Sequence, residues 1–125
     1  MIGVYSVAIA NIISKKNPVL IFSHREDLSK QINISRFSSS AKVESSIQAT
    51  SDISFFMNNC SFIFLIVPSI FLKESLMNIK PFLEKKHKII HGIKGFFVNW
   101  KDDFFLEKED IKTISQCIKE ELKIK

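Results

Sequence analysis

The run Ser61–Val67 (SFIFLIV) constrains the fold of this chain more than any other segment. It is too short for a core helix, and it offers no alternating polar position. A strand with that pattern is apolar on both faces, as strands are in parallel sheets covered from both sides. Pro68 and Ser69 end it. Two other short apolar runs behave alike. Val19–Phe22 is bounded by Pro18 and by Ser23-His24-Arg25, and His87–His91 (HKIIH) stops at Gly92. Both are predicted strands.

Helical spacing fills the intervals. Val7–Ile13, with small Ala8 and Ala10, suits a short buried helix. Arg25–Ile32 is polar with Leu28 and Ile32 four apart, which predicts a short exposed one. Ser51 is the expected N-cap of a helix carrying Ile53, Phe56 and Met57, with Asp52 favourable in its first turn. Ser69 is the expected cap of a helix that places Leu72, Leu76, Ile79 and Leu83 on one face. Ile111, Ile114, Ile118 and Leu122 predict a final amphipathic helix. Ile34–Ser46 is Ser-rich and without period, hence a loop, and Ile47–Thr50 is a brief edge strand. Strand and helix therefore alternate, which predicts an α/β fold: a Rossmann-like parallel sheet with helices on both faces. A chain of 125 residues is long enough for one domain and too short for two.

Composition narrows the function classes. Hydrophobic residues make up 46% of the chain, enough for a core and against wholesale disorder. The formal charge is +5, but the lysines are scattered, paired only at Lys15-Lys16 and Lys85-Lys86. That describes a solvated surface better than a nucleic-acid patch, and no nucleic-acid partner is expected. Cys60 and Cys117 stand far apart with no motif spacing, which favours a reduced protein in the cytoplasm. His24, His87 and His91 lack metal-ligand spacing, so no metal site is expected. Phe62–Leu72, the longest apolar stretch, is interrupted by Pro68 and Ser69 and is too short to span a membrane.

In open parallel sheets, ligands bind outside the carboxyl ends of the strands. The candidate segments are thus Ser23-His24-Arg25, Pro68-Ser69-Ile70-Phe71 and Gly92-Ile93-Lys94-Gly95. Taken singly, each has a plain structural reading: Pro68 ends a strand, Ser69 caps a helix, Phe71 is core and Lys94 is a surface lysine.

Taken together and in order, these segments resemble a known family. FLIVPSIFL, with TSD upstream and HGIKGF downstream, resembles the NAD-dependent glycerol-3-phosphate dehydrogenases. VLIFSHRED matches that family's second strand and the charged turn after it, and ISQCIKEELKIK resembles the helix leading into its substrate domain. The resemblance covers nearly the whole chain. It implies an oxidoreductase of glycerol-3-phosphate metabolism that converts sn-glycerol 3-phosphate and NAD to dihydroxyacetone phosphate and NADH. It implies that Pro68 and Ser69 border the nicotinamide side of the cofactor, that Phe71 packs beside it, and that Lys94 is a catalytic lysine near both substrate and cofactor. A fixed ammonium suits a dianionic substrate whose oxidation moves charge at the carbon-2 oxygen. Gly95 lets the backbone turn tightly beside it. His24 stands where the family often has an arginine; Arg25 is the neighbour able to touch the adenosine ribose or a 2′-phosphate, so NADP stays open beside NAD.

The chain departs from the family at both ends. The family opens with a strand running into G-x-G-x-x-G, whose glycines let a helix N-terminus approach the pyrophosphate. Here only Gly3 is available. Either Gly3 and Ser6 stand at the second and third glycines, or Ile2–Tyr5 is the strand and the glycine turn is deleted. The first strand is then reduced or missing. At the far end the sequence stops about where the family enters its next strand and the glycine-rich link to its helical substrate domain. The expectation is one partial NAD-binding domain over residues 1–125, without the C-terminal substrate domain and inactive by itself. In the strand order 3-2-1-4-5-6 a missing first strand leaves Val19–Phe22 and Ser61–Val67 underpaired, which predicts self-association. The rival readings are a non-catalytic Rossmann-like interaction protein and a piece of a β-hydroxyacid or ketopantoate-type reductase.

Overall fold

A computed structural model describes residues 3–98 and 111–124. The chain divides into two compact units, Met1–Ser61 and Phe62–Lys125.

In the first unit, helix α1 (Val4–Ser14) leads into strand β1 (Leu20–Phe22), helix α2 (Glu26–Ser35), a hairpin of β2 (Phe37–Ser38) and β3 (Ala41–Lys42), strand β4 (Gln48–Thr50) and helix α3 (Ile53–Asn59). β1 and β4 pair in parallel, with Leu20 opposite Gln48, Ile21 opposite Ala49 and Phe22 opposite Thr50. Val7, Ala10, Ile32, Val43, Ile47 and Ala49 form the core, with Val19, Ile21 and Ala41 packed against it. Two asparagines fasten the helices. The Asn33 side chain of α2 donates to Ala49 O and accepts from Ala49 N, both at 2.8 Å. The Asn11 side chain of α1 donates to Lys42 O at 2.8 Å and accepts from Glu44 N at 3.0 Å.

Three sequence expectations need correction here. Val4 and Tyr5 are helical, so Ile2–Tyr5 is not a strand; Gly3 is the N-cap of α1, and Ile2 lies outside the described residues. Ile34–Ser46 is not only loop. Arg36 closes α2 with a left-handed φ of 61°, and Ser39 turns the hairpin at φ 54°. Val43, 1% exposed, anchors the segment to the core. A hairpin this short carries no alternation in its sequence to reveal it. Asp52 rather than Ser51 caps α3, accepting from Phe55 N at 3.0 Å.

In the second unit, strand β5 (Phe62–Leu65) is followed by a tight turn of 3-10 helix (Ser69–Phe71), helix α4 (Leu72–Ile79), a further 3-10 turn (Lys80–Phe82) and strand β6 (Lys88–His91). β6 is parallel to β5, with Ile63 opposite Ile89 and Leu65 opposite His91. The segment between them is thus the expected crossover. Leu72, Leu76 and Ile79 are buried as the helical spacing requires, while Leu83 lies past the helix in extended conformation. Pro81 lies in the 3-10 turn that follows α4, where a proline ring is tolerated and an α-helical bond would be lost.

Strand β5 is less covered than its sequence implies. Ile63 and Leu65 are buried, but Phe62 and Phe64 are 58% and 42% exposed. The last strands also differ from expectation. β7 (Phe96–Val98) pairs antiparallel with β8 (Ile111–Thr113), and helix α5 (Ile114–Leu122) follows. Ile111 therefore belongs to a strand, not to the helical stripe. Thr113 caps α5 in a capping box with Gln116, which starts the helix three residues later than the apolar spacing suggests. Ile114, Cys117, Ile118 and Leu122 are buried, and α5 packs on α4.

Candidate functional site

Parallel pairing decides where the candidate residues fall. β5 and β6 run the same way, so the segments leaving their carboxyl ends share one edge. Pro68–Phe71 leaves β5 and Gly92–Gly95 leaves β6, and the ladder continues past the strands through a bond from Gly92 N to Leu65 O of 3.2 Å. Phe71 N donates to Pro68 O at 2.9 Å, which folds the turn tightly. Ser69 does not cap with its side chain; it occupies the first residue of the 3-10 turn. Phe71 is not core either: it is 49% exposed, and neighbouring Ile70 is 80% exposed. This turn therefore presents uncovered apolar surface at the carboxyl end of a parallel pair. Lys94 is exposed on the adjoining segment, and Gly95 has φ 90°, a conformation that glycine adopts without strain.

His91 ends β6 three residues before Lys94. Its Nε2 lies 2.8 Å from Ser115 Oγ, tying the strand end to the first turn of α5. Its Nδ1 is buried without a hydrogen-bond partner. His91 has no metal-ligand spacing to mark it; only the pairing of β6 with β5 shows that it stands at the carboxyl edge. A hollow of about 260 Å³ between Leu83–His87 and Leu122–Ile124 opens at the opposite, amino end of β6, and so has no part in this site.

In the first unit the carboxyl ends of β1 and β4 also coincide. Ser23 N donates to Thr50 O at 3.0 Å, and buried Ser23 accepts from Arg25 N through its hydroxyl. His24 and Arg25 are exposed beyond it. The Arg25 guanidinium grips Asp27 with two parallel bonds, Nε to Oδ1 at 3.2 Å and a terminal nitrogen to Oδ2 at 2.5 Å. That hydrogen bonding raises the Arg25 pKa and holds the Asp27 carboxyl below its ordinary range. Gly3, with φ −70° and ψ 155°, is in ordinary extended conformation, and a Cβ there would meet nothing within 4 Å. No close approach among the described residues demands glycine at that position. Ser6 lies half-buried in the first turn of α1. Among the described residues no cluster of His, Cys, Asp and Glu could hold a metal ion, and no helix is long and apolar enough to cross a membrane.

Residues 2–125 match the family described as NAD-dependent glycerol-3-phosphate dehydrogenase N-terminus. The chain belongs to that family. It corresponds to the N-terminal, NAD-binding region of such enzymes. A glycerol-3-phosphate dehydrogenase (NAD(P)+) of Bacillus subtilis is 27% identical over 125 residues, covering 96% of this chain and 33% of the relative. One from Brachyspira hyodysenteriae is 25% identical over 97 residues, covering 74% of this chain and 29% of its own length. The chain thus spans about a third of the length of the curated relatives it matches. Among solved structures, glycerol-3-phosphate dehydrogenase from Coxiella burnetii superposes with TM-score 0.77 at 20% identity, covering 97% of this chain and 35% of that one. The enzyme of Saccharomyces cerevisiae gives TM-score 0.77 at 18% identity, covering 98% and 37%. These likenesses establish the Rossmann-type α/β fold that the alternation of strands and helices predicts.

Proposed function

We propose that this chain forms the dinucleotide-binding part of a glycerol-3-phosphate dehydrogenase, taking NAD, with NADP as the alternative, at the carboxyl ends of its parallel strands. The observation that carries the reading is the family match over residues 2–125 together with the shared edge of Pro68–Phe71 and Gly92–Gly95. In this reading exposed Phe71 packs beside the nicotinamide, and Pro68 and Ser69 shape the turn that borders it. Lys94 contributes a fixed positive charge toward the substrate's phosphate and carbon-2 oxygen, where charge develops during oxidation. Hydride transfer itself is chemistry that the nicotinamide supplies. His24 and Arg25 face the adenosine ribose. Asp27 already occupies the Arg25 fork, so a 2′-phosphate would have to displace a carboxylate, and this favours NAD. Gly3 and Ser6 stand at the N-terminus of α1, where backbone amides face an anion. Residues 1–125 are read as one partial dinucleotide-binding domain of a cytoplasmic protein, with glycerol 3-phosphate as the substrate of the enzyme type and self-association as the state of the chain by itself.

Titration with NADH, followed by calorimetry, tests the reading. Weak binding is expected, further weakened by Phe71→Ala, and recovering when a strand with a G-x-G-x-x-G turn is joined ahead of Ala8. No turnover of glycerol 3-phosphate is expected from the chain alone, because one domain cannot position both reactants. Absence of NADH binding even with the glycine turn added would overturn the cofactor assignment. Turnover abolished by Lys94→Ala would overturn the expectation of inactivity.

A further inference from the structure

The segment that carries Lys94 is held at both ends by the start of one helix. At its front, β6 ends at His91, whose Nε2 lies 2.8 Å from Ser115 Oγ in the first turn of α5. At its back, Phe96 opens β7 and pairs with Thr113 of β8, the residue that caps α5. The two anchors are thus neighbours at the start of α5, and Gly92–Gly95 spans the interval between them. Gly92 is held in addition, its N–H donating to Leu65 O at 3.2 Å. Ile93, Lys94 and Gly95 lie between these ties, and Gly95 makes the turn at φ 90°.

The anchor itself is firmly held. Thr113 and Gln116 bond each other reciprocally in the capping box, at 3.1 and 2.9 Å, and Ile114, Cys117, Ile118 and Leu122 bury the inner face of α5. The nature of the His91–Ser115 contact follows from the other ring nitrogen. Nδ1 is buried and has no hydrogen-bond partner among the described residues. A buried N–H without an acceptor is rarer than an unpaired lone pair, so the ring hydrogen is assigned to Nε2, donating to Ser115 Oγ. A ring in that tautomer does not take the proton of Ser115, and no partner orients it from Nδ1. The pair is a tie rather than an activated serine nucleophile.

Lys94 takes part in neither tie and is exposed. A lysine ammonium rides on a flexible four-carbon stem, so its charge is placed no better than the backbone beneath it. We propose that His91 is a positioning residue for Lys94: through its contact with Ser115 it fixes the front of Gly92–Gly95 against α5, and so sets where Lys94 stands on the carboxyl edge for a phosphate-bearing substrate. The inference rests on the role given to Lys94 above and adds the pair that places it.

NMR on the full chain, at dilutions where sedimentation shows a monomer, tests it with glycerol 3-phosphate as the probe. Two readouts are followed: the backbone order of Ile93, Lys94 and Gly95 from the heteronuclear NOE, and probe affinity from the shift of the Lys94 ε-carbon. Ser115→Ala and His91→Phe should each loosen these amides and weaken the probe on the order of five-fold, as the loss of one hydrogen bond would. The double variant should be no worse than the poorer of the two singles, because both remove the same contact. Ser115→Thr keeps the hydroxyl and should restore both readouts. Cys117→Ala removes packing from the same helix without touching the pair; it should lower the urea midpoint and leave both readouts unchanged. Amides as ordered in Ser115→Ala as in the parent, no rescue by threonine, or equal loosening in Cys117→Ala would each overturn the proposal and leave the role of Lys94 standing. A Lys94 ε-carbon that ignores glycerol 3-phosphate in the parent, although the amides respond to Ser115→Ala, would instead overturn the role of Lys94 and the proposal with it.

Discussion

Replacing Asn33 by alanine tests how β4 is held. The substitution removes two hydrogen bonds of 2.8 Å that tie α2 to the N–H and C=O of Ala49. Each such bond contributes about 0.5–1.5 kcal/mol net, or about 1–3 kcal/mol for the two. Ala49 is only 8% exposed, so water replaces the amide poorly. Against this, alanine suits a helix better than asparagine by about 0.6 kcal/mol. The expected net loss is about 1–2 kcal/mol. With a urea slope of about 1–3 kcal/mol per M, the midpoint of a fluorescence- or circular-dichroism-monitored unfolding curve should fall by about 0.3–2 M. Asn33→Asp keeps the acceptor for Ala49 N but sets an oxygen against Ala49 O, so at neutral pH it should cost at least as much as alanine. The introduced carboxyl is disfavoured as an anion there, so its folded pKa rises above the unfolded value of about 3.9. Its stabilising form, the protonated acid, is fully present below that value and is lost as pH rises through the folded pKa. The aspartate variant should therefore gain stability relative to the alanine variant as the solution is acidified. An unchanged urea midpoint for Asn33→Ala, or an aspartate variant insensitive to pH, would refute the assignment of the two bonds.

Leu76→Ala, at a site with 0% exposure in α4, should cost about 2–5 kcal/mol in urea unfolding; a loss below the bottom of that range would mean that the α4–α5 contact collapses around the cavity. Thr113→Ala removes the capping box of α5, in which Gln116 N donates to Thr113 at 3.1 Å and Thr113 N to Gln116 at 2.9 Å. A loss of about 1 kcal/mol is expected, and Thr113→Ser should recover most of it. Asp27, held low chiefly by its hydrogen bond from Arg25, should titrate below an ordinary aspartate in NMR and move up in Arg25→Ala. Its stabilisation is present above the unfolded carboxyl pKa and fades as pH falls through the folded one; an unmoved midpoint would show that the exposed pair is not formed in solution.

Much of this protein is legible in its residues. Val19–Phe22 and HKIIH are short apolar runs, and their alternation with helical spacing suffices for a parallel α/β fold, because hydrophobic period is a local property. Leu72, Leu76 and Ile79 could be placed on a buried face for the same reason. The order of VLIFSHRED, FLIVPSIFL and HGIKGF leads to the right family. The helix caps at Asp52 and Thr113 lie one to three residues from where the apolar spacing sets the helix starts, and T-x-x-Q is the local signal that marks the second.

What local pattern could not supply was pairing. That β5 neighbours β6, so that Pro68–Phe71 and Lys94 share an edge, follows from a parallel register between segments more than twenty residues apart. Hydrophobic runs specify that strands exist, not which one lies alongside another. The exposure of Phe62 and Phe64, and of Phe71 taken singly as core, was likewise undecidable from composition, since an apolar side chain reads the same whether or not a neighbour covers it. The closure of β4 by Asn33, bonded to Ala49, and by Arg36, whose guanidinium donates to Ile47 O at 2.6 Å, is the clearest case. In the sequence these are polar residues near the end of an exposed helix, and only the approach of β4 makes them stand in for a strand. Sequence alone determined the parallel strands, the helices and the family; tertiary structure decided the two short antiparallel pairs and which edges are satisfied, because a backbone hydrogen bond depends on the partner that folding brings within reach.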